Sequence, residues 1–439
     1  MRLRLPHPLL LLLGAVAVAM FATWIIPAGT YQRKTDQASG REVVVAGTYQ
    51  RVEQAPVGPT AAVIAIPRGI ISGADVILTI LFVGAAFALL DSTGALARIV
   101  ASLVGSGAPP RLVVVCISIG FAILGGLENM DSEIIALAGV LVLLSRGLGF
   151  GAITALAMSI GASLVGAAFG PLNPFQTGIG LKFSELPGLS MAPLRFGLYG
   201  ATVATWIAYT LYMIPKDDQK PDTTPVPAER ASTRDVVLVA LALLPFVPYV
   251  IGVLKYDFGF NELTALFLVA GFAIGLVSGR SWNQTATDLL KGMESMLAAG
   301  LMMGVARAIS VVLTDGKVID SIIHGLATPL GTMPSALGAL AMIPVHALLH
   351  IAVPSVSGHG VLTMPIMAPT ADLIHVSRDA AVIAYQTGSG LMDLITPTNG
   401  ILLAILVGAK VGYGRWIRFA GPGVLLVALV GAAGVVLAR

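Results

Sequence analysis

Apolar runs of helical length follow one another along almost the whole chain, and two of them are broken at matching places. The first break reads Ala168-Phe169-Gly170-Pro171-Leu172-Asn173-Pro174-Phe175 and the second Leu394-Ile395-Thr396-Pro397-Thr398-Asn399-Gly400-Ile401, so that both proline and asparagine recur 226 residues apart. Proline inside an apolar helix removes a hydrogen bond and frees carbonyls, which lipid cannot satisfy. Paired breaks in corresponding halves point to a binding site held inside a membrane.

The remaining pattern predicts an order of elements. An apolar run from Pro8 to Pro27 follows Met1-Arg2-Leu3-Arg4. It resembles a signal peptide but has the length of a span and no small-x-small site after it, so it reads as a retained first transmembrane helix. Residues 28–72 form the longest polar stretch, an extracytoplasmic loop with a local repeat (Ala28-Gly29-Thr30-Tyr31-Gln32-Arg33 and Ala46-Gly47-Thr48-Tyr49-Gln50-Arg51), in which Thr, Tyr and Val around Asp36–Gly40 suggest a small strand pair. A span follows at 74–95, then an amphipathic piece to Ser106. The short runs 112–127 and 134–145 flank the polar tip Glu128–Glu133 and predict a re-entrant helical hairpin. The first broken helix covers 150–180, and a helix at 192–214 closes the half.

A charged, proline-bearing linker at 216–234 separates an N-terminal repeat, 1–215, from a C-terminal repeat, 235–439. Spans are expected near 235–254, 262–279 and 293–313. A second hairpin has arms 336–353 and 361–374 around Pro354–Gly360, before a broken helix at 379–408 and a last span at 416–437. The fold class predicted is an all-α polytopic membrane protein of about nine spans, two re-entrant hairpins and two broken helices. Counting from a cytoplasmic N-terminus puts the linker in the cytoplasm, and one hairpin enters from each side. The basic residues Arg98, Arg111, Arg146, Arg280, Lys291, Lys410, Arg415 and Arg418 then lie inside, and the repeats have inverted topology.

Composition agrees: 56% of residues are hydrophobic, 11% charged, and mean hydropathy is +0.88, whereas about a quarter of a soluble domain is charged. The single Cys116 excludes an intrachain disulfide framework and a multi-cysteine metal site. The net charge of +3 is scattered, which argues against nucleic acid.

The candidate chemistry gathers at the tips and breaks. Glu128, Asn129, Asp131, Ser132 and Glu133 make the first tip rich in carboxylates, which inside a membrane should face water, a cation or a proton relay. The second tip, with Ser355, Ser357, Gly358 and His359, offers hydroxyls, open backbone and an imidazole able to titrate. Asn173 and Asn399 can donate to a carboxylate and coordinate sodium through oxygen, or cap the helices that follow them. Thr398 stands beside the second. Asp393 is a candidate proton or cation site, and Arg307 a counter-ion for a carboxylate substrate. Asp91, His346 and His350 read as packed or interfacial. Gly125, Gly126 and Gly358 read as hinges.

Pro27–Tyr31, Ala306–Leu313, Val353–Gly360, Leu362–Pro369 and Asn173-Pro174-Phe175 resemble a family of bacterial carriers. It joins anaerobic four-carbon dicarboxylate carriers and YfcC-like basic amino-acid antiporters, within the ion transporter superfamily. The resemblance implies a homodimeric inner-membrane secondary transporter with an elevator-like cycle and no cofactor beyond a coupling sodium ion or proton. It implies substrate and ion sites at Glu128–Ser132, Asn173, Ser355–Gly360 and Thr398–Asn399. The carboxylate-rich first tip and His359 depart from the pattern of the dicarboxylate carriers and favour an amine-bearing substrate or proton coupling.

Two other classes compete. An intramembrane aspartyl enzyme would use Asp131 and Asp393, but no motif activates either. A passive channel would show a continuous polar stripe, whereas polarity here concentrates at two points.

Overall fold

The computed structural model describes residues 8–439 except 36–41, 46, 97, 100–101, 103–108, 215–230 and 257; at a few further positions, among them Glu128, Ser132 and Ser357, only the backbone is described. The protein is an all-α polytopic membrane protein. Among the described residues six helices are long and apolar enough to cross a membrane: Ala74–Asp91, Pro110–Leu127, Ala152–Phe169, Phe260–Val277, Ser335–Ala352 and Tyr413–Ala438. That is fewer than nine because breaks shorten several elements. Thr233–Leu243 and Phe246–Tyr256, for example, replace one expected span.

The matching of the halves extends well beyond the two breaks. A shift of 226 residues lays Pro110–Glu128 over Ser335–Ala352 and Ser132–Gly147 over Val356–Leu373, to within a few residues. It lays the buried helix Ala152–Phe169 over Arg378–Tyr385 with its π-turn Gln386–Gly390, and Ala192–Met213 over Tyr413–Ala438. The segments after the breaks, Pro174–Phe183 and Gly400–Gly408, also coincide. The first arm of each hairpin is as long as a span, so the hairpins are defined by their sharp returns rather than by short arms. Asn129 makes the first return in the left-handed region, with φ 62°.

Two expectations need correction. Pro59–Ser72, assigned to the extracytoplasmic loop, is a helix with Pro59 in its first turn, where the missing N–H costs nothing. It packs against Trp282–Asp315, and a Cβ on Gly69 would stand 2.5 Å from the Gly304 carbonyl oxygen, so only glycine admits the approach. The second tip is also shorter than expected. Ser355 caps the second arm by accepting from the Gly358 amide, which puts Ser357, Gly358, His359 and Gly360 inside the helix Val356–Leu373.

Residues 36–41, at the centre of the expected strand pair, lie outside the described residues, and strands flank them: Arg33–Thr35 pairs with Glu42–Val44, and further out Gly29–Thr30 pairs with Gln50–Arg51, both antiparallel. The local repeat has a packing reason. Tyr31 and Tyr49 lie 5.4 Å apart between ring centroids, and Tyr49 stacks on His324 at 3.9 Å. Arg33 grips Asp320 through both carboxylate oxygens. The small cap is thus riveted to helix Ile319–Ala327.

The broken helices are wrapped in protein, as irregular backbone in a membrane requires. Ala152–Phe169 is buried on every side. The carbonyls freed at the breaks find side-chain donors: Gln386 Nε2 reaches Ala168 at 2.9 Å, Thr177 Oγ1 reaches Gly170 at 2.6 Å, and Trp416 Nε1 reaches Leu394 at 2.7 Å. The Tyr413 hydroxyl donates to Ile395 at 2.5 Å.

Candidate functional site

A cavity of about 960 Å³ lies where the second break, both hairpin tips and the long helix Trp282–Asp315 converge. Of the residues singled out in the sequence, Asn129, Asp131, Ser355, Asp393, Thr398, Asn399 and Arg307 all line it. The side chains of Glu128, Ser132 and Ser357 lie outside the described residues. Asn173, Gly358 and His359 do not line the cavity.

The two break asparagines therefore differ. Asn173 Oδ1 accepts from the amides of Phe175 and Gln176, at 2.9 and 2.7 Å, and its Nδ2 donates to the Gly125 carbonyl at 2.9 Å. Its hydrogen bonds are spent on a helix start and on tying that start to the first hairpin. Asn399 Oδ1 likewise accepts from Ile401 and Leu402. Its Nδ2, however, donates to Asp393 in the cavity wall. Both carboxamide oxygens, offered to sodium in the sequence, are turned to backbone amides.

The charges in the cavity are uneven. Arg68 and Asp315 form a bidentate pair between helices Pro59–Ser72 and Trp282–Asp315. Arg307 has neither hydrogen bond nor ion pair among the described residues, and its stem lies over Gly73, where a Cβ would come within 3.3 Å of Nε. An arginine held this way presents its planar fork to whatever enters. The carboxylates lining the cavity besides Asp315 are Asp75, which accepts from the Val76 amide at 2.8 Å, Asp131, which accepts from Asn129 at 3.3 Å, and Asp393. A cation fork and separate carboxylates within one chamber suit a ligand carrying both a carboxylate and an ammonium group.

Sequence reasoning missed Arg68, Ser72, Asp75, Ser310 and Asp315 as cavity residues. Reading Pro67-Arg68-Gly69 as surface loop hid the first of them. His346 and His350, read as packed or interfacial, are packed, and their spacing of four on one helical arm sets both on one face. That face looks onto His359, and all three rings are fully buried.

The chain matches the family described as DcuC, C4-dicarboxylate anaerobic carrier, over residues 5–439. It is 26% identical to an uncharacterized protein of Haemophilus influenzae, covering 97% of this chain and 95% of that one. It is 25% identical to the Escherichia coli protein named "Putative basic amino acid antiporter YfcC", covering 95% and 93%. Among solved structures, the YdaH transporter of Alcanivorax borkumensis aligns with a TM-score of 0.46 at 16% identity, covering 98% of both chains. MtrF of Neisseria gonorrhoeae, described within a class of antimetabolite efflux pumps, aligns with a TM-score of 0.43 at 14% identity, covering 98% and 94%.

Proposed function

The chain belongs to the C4-dicarboxylate anaerobic carrier family, and from that premise we propose that this membrane transporter is a secondary active carrier of amino acids, basic ones foremost. One observation carries the reading: Arg307, without an ion-pair partner among the described residues, shares its chamber with Asp131 and Asp393. Arg307 would take the substrate carboxylate, and the acidic wall an ammonium or guanidinium group. A dianion would meet Arg307 but leave the carboxylates in the same chamber repelling its second charge. The printed name of the Escherichia coli relative points the same way.

The cycle we infer is elevator-like. The hairpins and broken helices would move together against the long helices Ala74–Asp91 and Trp282–Asp315, in a bacterial inner membrane with the N-terminus in the cytoplasm and the repeats inverted. A homodimer would anchor the static part, and a proton or sodium ion would drive the cycle. The aspartyl-enzyme alternative fits poorly, because such dyads share a proton between adjacent carboxylates, whereas Asp393 Oδ1 is engaged by His350 and Asn399.

A second reading, transport of four-carbon dicarboxylates, is favoured by the family description. Thermal-shift and calorimetric titration of the purified protein with L-arginine, L-lysine and succinate separates the two. Stabilisation by the amino acids alone is expected; stabilisation by succinate alone replaces this proposal with the dicarboxylate reading.

A further inference from the structure

The second hairpin carries a group of imidazoles that substrate binding leaves unused. His350 Nε2 lies 2.8 Å from Asp393 Oδ1, and His346 Nδ1 lies 3.0 Å from His359 Nε2. The His350 and His359 rings stand 5.4 Å apart, and Tyr385 stacks on His359 at 5.7 Å. Three ring nitrogens, His346 Nε2, His350 Nδ1 and His359 Nδ1, are buried with no hydrogen-bond partner among the described residues. Buried polar atoms are nearly always paired, so three orphans in one cluster call for a chemical reason. The cluster is not sealed from the site, because Asp393 belongs both to it and to the cavity wall.

We propose that His350 and Asp393, with His359 and His346 behind them, are the proton-binding site that couples transport, and that a substrate ammonium and a proton compete for it. This rests on the amino-acid reading of the cavity. Asp393 accepts the Nε2–H of His350 and so fixes the tautomer, leaving the lone pair on Nδ1 as the place for a proton. Protonation there forms an N–H bond and sets an imidazolium against the Asp393 carboxylate, a buried but neutral pair. When an ammonium group enters and takes Asp393, two cations would face one carboxylate. The imidazolium then gives up the proton that faces Asp393: the Nε2–H bond breaks, its electron pair returns to the ring, and the proton passes by way of Asp393 to water in the cavity, leaving His350 neutral with its hydrogen on Nδ1. One ammonium replaces one proton, and if the two leave on opposite sides the result is exchange.

Other ionisable groups set the background. Among the described residues these are His346 on the same arm, His359 on the other arm, and Tyr385 on helix Arg378–Tyr385, while Arg307 and Asp131 line the chamber. Helix Ile319–Ala327 also packs on the first arm, but Arg33 and Tyr31 engage its Asp320 and His324. From Tyr413–Ala438, the Tyr413 hydroxyl is committed to the Ile395 carbonyl.

The test is calorimetry of L-arginine binding to the full-length protein in buffers of differing ionisation enthalpy, which counts protons released. Proton release should rise towards one per ligand as the pH falls below the ordinary imidazole range of about 6.5, with affinity there falling by up to about tenfold per unit of acidification. In His350→Gln, whose amide can still donate to Asp393, the proton count and the pH slope should both collapse. Binding by the wild-type protein with no proton release overturns the coupling site and leaves the cavity reading standing; so does an unchanged slope in His350→Gln. Failure of L-arginine and L-lysine to bind while succinate binds overturns the cavity reading itself, and this inference with it. Should His350→Gln not fold, the wild-type proton count decides alone.

Discussion

Asn399 donates from a single amide nitrogen to both the side chain and the main-chain carbonyl of Asp393, at 3.0 and 3.1 Å, while its oxygen caps the helix beyond the break. One residue thereby starts a helix, closes the loop before it and orients a cavity carboxylate. Asn173, at the matching position, shares only the first of these tasks, and its nitrogen instead ties the break to Gly125 of the first hairpin. Replacement by alanine should separate the roles. Each variant loses a helix cap, worth about 1 kcal/mol. Asn399→Ala should also lose about tenfold or more in L-lysine affinity, because Asp393 loses a donor. Asn173→Ala should bind normally once folded. Paired thermal-shift and calorimetric titrations check both, and equal affinities for the two variants would remove Asn399 from the site.

The difference between these asparagines was not visible in the chain, where both follow Pro-x and both sit 226 residues apart. Proline, glycine and polar interruptions in apolar runs locate hairpins and breaks well, because a broken helix in lipid needs a special local composition. What they do not reveal is which way each side chain turns once the helices pack. His359 read as a tip residue and proved to be buried inside a helix, since Ser355 starts the cap four residues earlier. Gly125 read as a hinge, yet its added Cβ would lie 2.1 Å from the Ser163 carbonyl oxygen, which makes it a packing point. Arg68 was hidden because helix Pro59–Ser72, apolar but short and interrupted by Pro67, was read together with the polar stretch before it, and it gains its place from contact with a helix more than two hundred residues away.

Arg307 offers a direct test of substrate polarity. A hydrogen-bonded pair with a charged group contributes about 1.5–3 kcal/mol, so Arg307→Gln should weaken L-arginine about 10- to 100-fold. Arg307→Lys should recover only part, since an ammonium cannot fork onto a carboxylate. L-Arginine methyl ester, which lacks the carboxylate, should bind the wild type weakly and lose little more in Arg307→Gln. An equal loss for the acid and the ester, measured by calorimetry, would show that Arg307 does not hold the carboxylate.

Tyr31, in the strand cap outside the helices, should titrate late at high pH. Burial, aided by the neighbouring Asp320 and Tyr49, pushes the Tyr31 phenol up to about 12 from its ordinary 10. A group whose folded value is raised stabilises the fold fully below its unfolded value and loses that contribution as pH rises through the folded one. Cap stability should therefore fall between about pH 10 and 12, seen as a lowered unfolding temperature and a late phenolate absorbance. Tyr31→Phe should flatten that fall, and an unaltered alkaline profile would contradict the assignment.

Within the core, Arg195 is only 3% exposed and spans Asp379 at 2.9 Å and Gln386 at 2.8 Å. The same Gln386 satisfies the Ala168 carbonyl at the first break and contacts Thr177 at 2.7 Å, so the arginine orients the side chain that joins the two broken helices. Removing one member of a buried pair leaves an uncompensated charge and typically costs about 3–5 kcal/mol. Arg195→Met or Asp379→Leu alone should lower the unfolding temperature in detergent by several degrees, with Arg195→Met the worse because it also releases Gln386. The double variant should recover part of the loss, since a buried pair replaced by apolar residues of similar volume is often neutral. A double variant as unstable as the sum of the singles would mean that Arg195 acts mainly through Gln386 rather than through Asp379.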